Sequence, residues 1–227
     1  AMDPQQWLFM EVVWKTIEDA GYDPLNLSAD EVGLFAGVEF NEYQTLIHMH
    51  KQSLHGHIAT GNSHSMLANR ISYFLNLHGP SEVIDTACSS SLVAINRAVK
   101  ALQNNECTLA IAGGVSLMLN PETFVVTSQL GALSADGRCK TFDKSANGYV
   151  KGEGVAAILL KPLERALRDG DHVYGVIKAS VVYHGGKAQS LTAPNAAAQS
   201  ELLIKAYKQA GISANTVTYI EAHGTGT

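Results

Sequence analysis

Residues 83–92 read Val83-Ile84-Asp85-Thr86-Ala87-Cys88-Ser89-Ser90-Ser91-Leu92. An apolar opening gives way to a polar turn, a cysteine and three serines, after which residues 92–102 repeat apolar side chains at helical spacing. A strand that turns directly into a helix is the building unit of layered α/β proteins. It also sets up Cys88 chemically. A thiol at a helix start faces backbone N–H groups and the positive end of the helix dipole, which favour a thiolate and can hold an oxyanion. Small neighbours, Ala87 and Ser89 to Ser91, let the backbone turn sharply, as in the nucleophile elbow of serine hydrolases.

Outward from this unit, apolar runs with the length of buried strands occupy 32–38, 82–87, 108–115, 155–160, 173–182 and 217–222. Helical patterns lie between many of them, at 92–102, 162–168 and 196–210, so a layered α/β fold is expected. The chain opens on a further helix. Asp3 is placed to cap it, Pro4 suits its first position, and Gln6 is expected to complete a capping box. Trp7, Met10, Trp14 and Ile17 then recur at helical spacing until Gly21. No repeat, low-complexity tract or linker interrupts residues 1–227, which read as one unit.

Composition narrows the function. The 227 residues are 46% hydrophobic, enough for a sizeable core. Sixteen Lys and Arg against twenty-one Asp and Glu give a net charge of −5 without long runs of one sign, so nucleic acid and anionic membranes are not expected partners. The longest apolar runs fall far short of the roughly 20 residues that span a bilayer. No charged-then-apolar signal segment opens the chain, and a cytoplasmic location is the simplest expectation. Cys88, Cys107 and Cys139 form no CxxC pair, which argues against zinc ribbons and disulfide frameworks. Cys107, at the start of an apolar run, reads as structural, and Cys139, in a polar loop, as exposed.

At the far end, Tyr219-Ile220-Glu221-Ala222-His223-Gly224-Thr225-Gly226-Thr227 places a histidine just past an apolar run, before a Gly/Thr loop. Its imidazole can donate to a thioester oxygen or an enolate, and the threonine hydroxyls can hold a polar linker arm. The separation of Cys88 and His223 fits a cysteine hydrolase equally well, so spacing leaves the chemistry open. His48, His50, His55, His57 and His64 crowd one segment, but without carboxylate or cysteine partners at site-like spacing no metal is expected. Asp143, Lys151 and Glu153 read as loop-stabilising residues.

Four ordered motifs, MDPQQ (2–6), DTACSSSL (85–92), DGRCKTFDKSANGYVKGEG (136–154) and EAHGTGT (221–227), resemble a β-ketoacyl synthase of a modular type I polyketide synthase. ATGNSHSMLANRISYFLNLHGPSE (59–82) and HGGKAQSLTAPN (184–195) are similar to ketosynthases of trans-acyltransferase assembly lines. The resemblance implies a thiolase-like layered αβαβα fold, incomplete at both ends, and a homodimer. It implies that Cys88 takes an acyl chain from an acyl carrier protein, and that a malonyl-type extender is decarboxylated and condensed with it in a Claisen reaction. His223 matches the first of the family's two catalytic histidines. Thr225 and Thr227 match the threonines that contact the carrier's phosphopantetheine arm, and the domain itself is expected to bind no cofactor.

The family's second histidine has no counterpart in these residues, and the strand and helix that precede MDPQQ are absent, as expected of a translated gene segment. Two departures stand out: Trp7 where the family has arginine, and Tyr183 where it has asparagine. A non-elongating acyl relay and a non-catalytic dimerisation or carrier-docking fragment remain as alternative readings.

Overall fold

The structure, a computed structural model, describes residues 2–50 and 55–227. Helix α1 (Pro4–Asp19) starts at Asp3, whose carboxylate accepts the Gln5 N–H. The capping box does not form. The Gln6 amide instead donates to the Gly61 carbonyl at 2.9 Å and accepts from Arg70 Nε at 2.9 Å, because the Asp3 N–H it was expected to bind is taken by that same carbonyl group. The inward stripe is Phe9, Val13 and Ile17; Met10 and Trp14 pack at its rim and Trp7 faces solvent.

A short 3-10 turn (Pro24–Ala29) leads to β1 (Val32–Gly37), buried along its whole length. Three helices follow, α2 (Glu42–Met49), α3 (His57–Asn62) and α4 (Ser65–Phe74), then β2 (Ser81–Ile84). Of the histidine-rich segment 48–64, residues 51–54 lie outside the described residues. Next come α5 (Ser90–Gln103), β3 (Leu109–Ser116), α6 (Glu122–Gln129), β4 (Gly154–Leu160), α7 (Leu163–Asp169) and α8 (Ala196–Ala210).

The four strands form one sheet in the order β2-β1-β3-β4, with β2 and β3 parallel to β1 and β4 antiparallel to β3. Helices α1 and α4 cover one face, where Phe9, Val13, Ile17 and Ile71 meet Leu34 and Ile111. Helix α5 covers the other with a stripe of small residues, Ala94, Ala98 and Ala101, spaced to lie on one side and to let helix and sheet approach closely. Arg97 on α5 pairs with Glu82 and Glu106, fastening the helix to β2. The central strands are buried, whereas the edge strands β2 and β4 are only half covered.

Two expected strands, 173–182 and 217–222, are not strands. Their composition suits a sheet, but a strand exists only where a neighbour takes its backbone hydrogen bonds, and among the described residues neither segment has one. Tyr174, Val176, Tyr219 and Ile220 are accordingly exposed, and α8 buries none of its residues. Residues 173–177 border an apolar groove of about 990 Å³ against α1 and β4. No helix among the described residues is long and apolar enough to cross a membrane.

Candidate active site

Cys88 lies exposed at the turn from β2 to α5. The turn is tight because Asp85 accepts the Ala87 N–H at 3.1 Å and Ala87 takes a left-handed conformation, φ 54°. For an alanine that conformation costs roughly 1–2 kcal/mol. The serines offset it. Ser90 Oγ donates to the Ala87 carbonyl at 2.7 Å and accepts from the Thr86 N–H at 2.9 Å, while Ser89 Oγ donates to the Thr86 carbonyl at 2.9 Å. These residues therefore build the elbow as well as leave room around it. The Ser89 and Ser90 N–H groups are bonded to the Thr86 and Ala87 carbonyls, so neither is free for an oxyanion.

The start of α5 sits against the ends of β1 and β3. A methyl group on Gly37 would lie 2.7 Å from Ser91 N and 2.8 Å from Ser90 C, so only glycine at the end of β1 lets the nucleophile's helix come this close.

Around the thiol, burial first, and then negative charge on Cys88 and Glu39, push the Tyr149 phenol up, against a hydrogen bond with Thr127. The Glu39 carboxyl is likewise raised, by burial first and then by Asp85, while Lys151 pulls it down. Lys151 Nζ lies over the rings of Phe40 and Phe124, at 5.0 and 5.6 Å from their centres. Tyr149 thus feels both Cys88 and Glu39, and Glu39 in turn feels Lys151. Neither Tyr149 nor Glu39 stands in a catalytic pattern in the sequence; the one signal for Tyr149 is its place in the Gly-rich stretch 148–154.

His223 is exposed, and no hydrogen bond joins it to Cys88 among the described residues. The loop that follows it is docked. The Gly226 carbonyl accepts the Gly148 N–H at 3.0 Å, Thr141 Oγ1 donates to the Gly224 carbonyl, and Thr225 and Thr227 share a hydrogen bond of 2.9 Å between their hydroxyls. Gly226 has φ 74°, and a Cβ there would meet Lys140 N at 2.9 Å. Residues 136–150 are thus a connector, holding the His223 loop through Thr141 and Gly148 and bearing Tyr149, within electrostatic reach of Cys88. Lys140 braces the connector by binding Asp136 and Asn147 at 2.8 and 2.7 Å.

Asp143 closes its own turn by accepting the Ser145 N–H and hydroxyl, and Glu153 accepts the Met118 N–H at 2.8 Å. Cys107 is buried, which raises its thiol, and Cys139 is exposed with its sulfur accepting the Val150 N–H. Tyr183 donates to Glu201 and lies under Lys205 Nζ, on the surface. Among the described residues no three His, Cys, Asp or Glu side chains are grouped to hold a metal ion.

The N-terminal domain model of the β-ketoacyl synthases matches residues 1–166, and their C-terminal domain model matches 174–227. Polyketide synthase PksN of Bacillus subtilis is 50% identical over 226 residues, and a phenolphthiocerol/phthiocerol polyketide synthase from Mycobacterium tuberculosis is 46% identical over 227. Both alignments take in all of this chain but only 4% and 15% of those proteins. Among solved structures, an oxazolomycin ketosynthase domain from Streptomyces albus superposes with a TM-score of 0.93 at 39% identity. The ketosynthase from module 6 of the bacillaene synthase of Bacillus subtilis does so with 0.92 at 44%. All of this chain is covered in each case, against 40% and 38% of theirs. The sheet with its covering helices is thus part of a thiolase-like layered fold.

Proposed function

The chain belongs to the β-ketoacyl synthase family, and on that premise we propose that it carries the acyl-accepting nucleophile of a polyketide synthase ketosynthase of the trans-acyltransferase kind. The observation that carries the reading is the elbow. A cysteine stands exposed at the start of α5, the Thr86–Ala87 turn before it held by Asp85, Ser89 and Ser90 and its helix seated on Gly37.

In the first step the Cys88 thiolate adds to the carbonyl carbon of a carrier-bound acyl thioester, and the tetrahedral oxyanion collapses with loss of the carrier's phosphopantetheine thiolate, which takes up a proton. In the second, a malonyl-type thioester loses carbon dioxide, and the resulting enolate carbon attacks the Cys88 thioester. That attack forms the carbon–carbon bond and releases the Cys88 thiolate. Splitting the transfer through a covalent intermediate replaces one hard step by two easier ones. Donors aimed at the enolate oxygen lower the second barrier. His223 is such a donor, and Thr225 and Thr227 supply hydroxyls for the phosphopantetheine arm, on a loop tied to the connector that bears Tyr149. The proposal extends to a domain with no cofactor of its own, to the homodimer that the resemblance implies and to a cytoplasmic location.

Incubation with an acyl thioester of N-acetylcysteamine followed by peptide mass spectrometry tests the first step. The acyl mass is expected on the peptide containing Cys88 and is lost in Cys88→Ala; acylation that survives the substitution refutes it. A malonyl-loaded carrier then tests the second step, by formation of a β-keto product.

A further inference from the structure

Helix α6 buries none of its residues, and Phe124, Val125 and Val126 are exposed. Among the described residues no apolar face of α6 is packed to orient it, and what holds it is its N-terminal end. That end is held by side chains. Four consecutive backbone N–H groups between β3 and α6 each donate to a side chain from another part of the chain: Leu117 to Gln5 Oε1 at 3.2 Å, Met118 to Glu153 Oε1 at 2.8 Å, and Leu119 and Asn120 to Glu42 Oε2 at 2.6 and 3.0 Å. The other oxygen of Glu42 accepts the Thr123 hydroxyl at 2.5 Å, inside the first turn of α6. Glu42 is 6% exposed, so these bonds are shielded from water. Gln5, 3% exposed, also donates to the Phe40 carbonyl at 2.8 Å, next to Glu39.

We propose that Glu42 is a positioning residue. With Gln5 and Glu153 it sets the 117–120 turn, and so fixes where α6 places Phe124 against Lys151, beyond the end of β3 that meets the nucleophile's helix at Gly114 and Ser91. The proposal rests on Cys88 being the acyl acceptor, and its consequence is selectivity. A displaced α6 alters the space open to a long acyl chain more than that open to a short one, and leaves the intrinsic reactivity of the thiol unchanged.

The test compares the full chain with Glu42→Gln, which keeps the volume but replaces one accepting oxygen by a donor, and with Thr123→Val, which removes a single bond and disturbs folding least. Three quantities are read: amide hydrogen exchange at 117–120, alkylation of Cys88 by iodoacetamide, and the ratio of Cys88 acylation rates by N-acetylcysteamine thioesters of a long and a short acyl chain. Exchange at Leu119 and Asn120 is expected to rise about tenfold in Glu42→Gln. The long-to-short ratio is expected to shift about threefold or more, and less in Thr123→Val, with alkylation unchanged. Faster exchange with an unaltered ratio reduces Glu42 to a structural brace and overturns the proposal, as does unaltered exchange. If Glu42→Gln does not fold, an unaltered ratio in Thr123→Val overturns it alone. Failure of the unmodified chain to acylate at Cys88 is a separate result, which removes the functional reading itself.

Discussion

Gly37→Ala puts a methyl group against the first turn of the nucleophile's helix. The added carbon would sit 2.7 Å from Ser91 N, 2.8 Å from Ser90 C and 3.0 Å from Ser91 Cα, all of them backbone atoms that no rotamer change can move aside. Ordinary contact begins near 3.4 Å, so the start of α5 must withdraw from β1 by about 0.7 Å. Over-packing of that kind costs about 1–3 kcal/mol. For a chain of this length, that corresponds to a melting temperature lower by roughly 2–12 °C.

The same movement carries Cys88 with it. A displacement near 1 Å in a reacting group costs on the order of a hundredfold, so acylation by a thioester should fall roughly ten- to a hundredfold, while alkylation by iodoacetamide, which needs no oriented acyl group, changes far less. Thermal melting and time-resolved mass spectrometry of the Cys88 peptide measure the two effects. Gly175→Ala is the control, because a Cβ there meets nothing within 4 Å. Melting and acylation both unchanged in Gly37→Ala would refute the claim that the β1–α5 contact seats the nucleophile. An equal loss in Gly175→Ala would assign the effect to any lost glycine.

Gln6→Ala removes a 3% exposed amide that donates to Gly61 and accepts from Arg70, and is expected to cost about 1–3 kcal/mol in urea unfolding; no loss would show that the contact carries no stability. Burial alone would lower the Lys161 ammonium, but hydrogen bonds to Asp169, Asp171 and Tyr22 outweigh it and hold the group above its usual value. A raised lysine contributes its stability at every pH below its unfolded value and loses it only as pH rises through the folded one. Lys161→Met is therefore expected to be less stable by about 1–3 kcal/mol, the figure discounted because Asp169 is partly exposed, with the deficit constant across the neutral range. Asp136 is held down at about 2 by hydrogen bonds from Lys140 and then Ser134. Its support of the connector is present above the ordinary carboxylate value of 3.8 and is lost as pH falls toward about 2, so amide exchange at 134–140 should quicken through that window and the step should vanish in Asp136→Asn.

Much of the three-layer core was legible in the chain itself. The apolar runs at 32–38, 108–115 and 155–160 lie on β1, β3 and β4 to within about a residue, and the run at 82–87 gives way to the elbow after Ile84. The helical patterns at 92–102 and 196–210 became α5 and α8 because side-chain periodicity is written locally. Cys88 at a strand-to-helix turn was legible for the same reason, since a strand end, small residues and a helix start are adjacent in sequence.

What depended on tertiary structure depended on distant residues. Composition at 173–182 and 217–222 marks a strand-like segment, but only a neighbouring backbone makes it a strand. Gln6 fits a local capping box, yet a carbonyl at Gly61 took its amide, and four N–H groups at 117–120 found partners on Gln5, Glu42 and Glu153. Tyr149 came within electrostatic reach of Cys88 on a connector whose other contacts reach the His223 loop. The residues alone determined the central strands, the helices with a clear period and where the thiol stands. Which polar groups pair, and what therefore surrounds that thiol, was decided by the fold, because a hydrogen bond between segments far apart in the chain leaves no period or spacing in either.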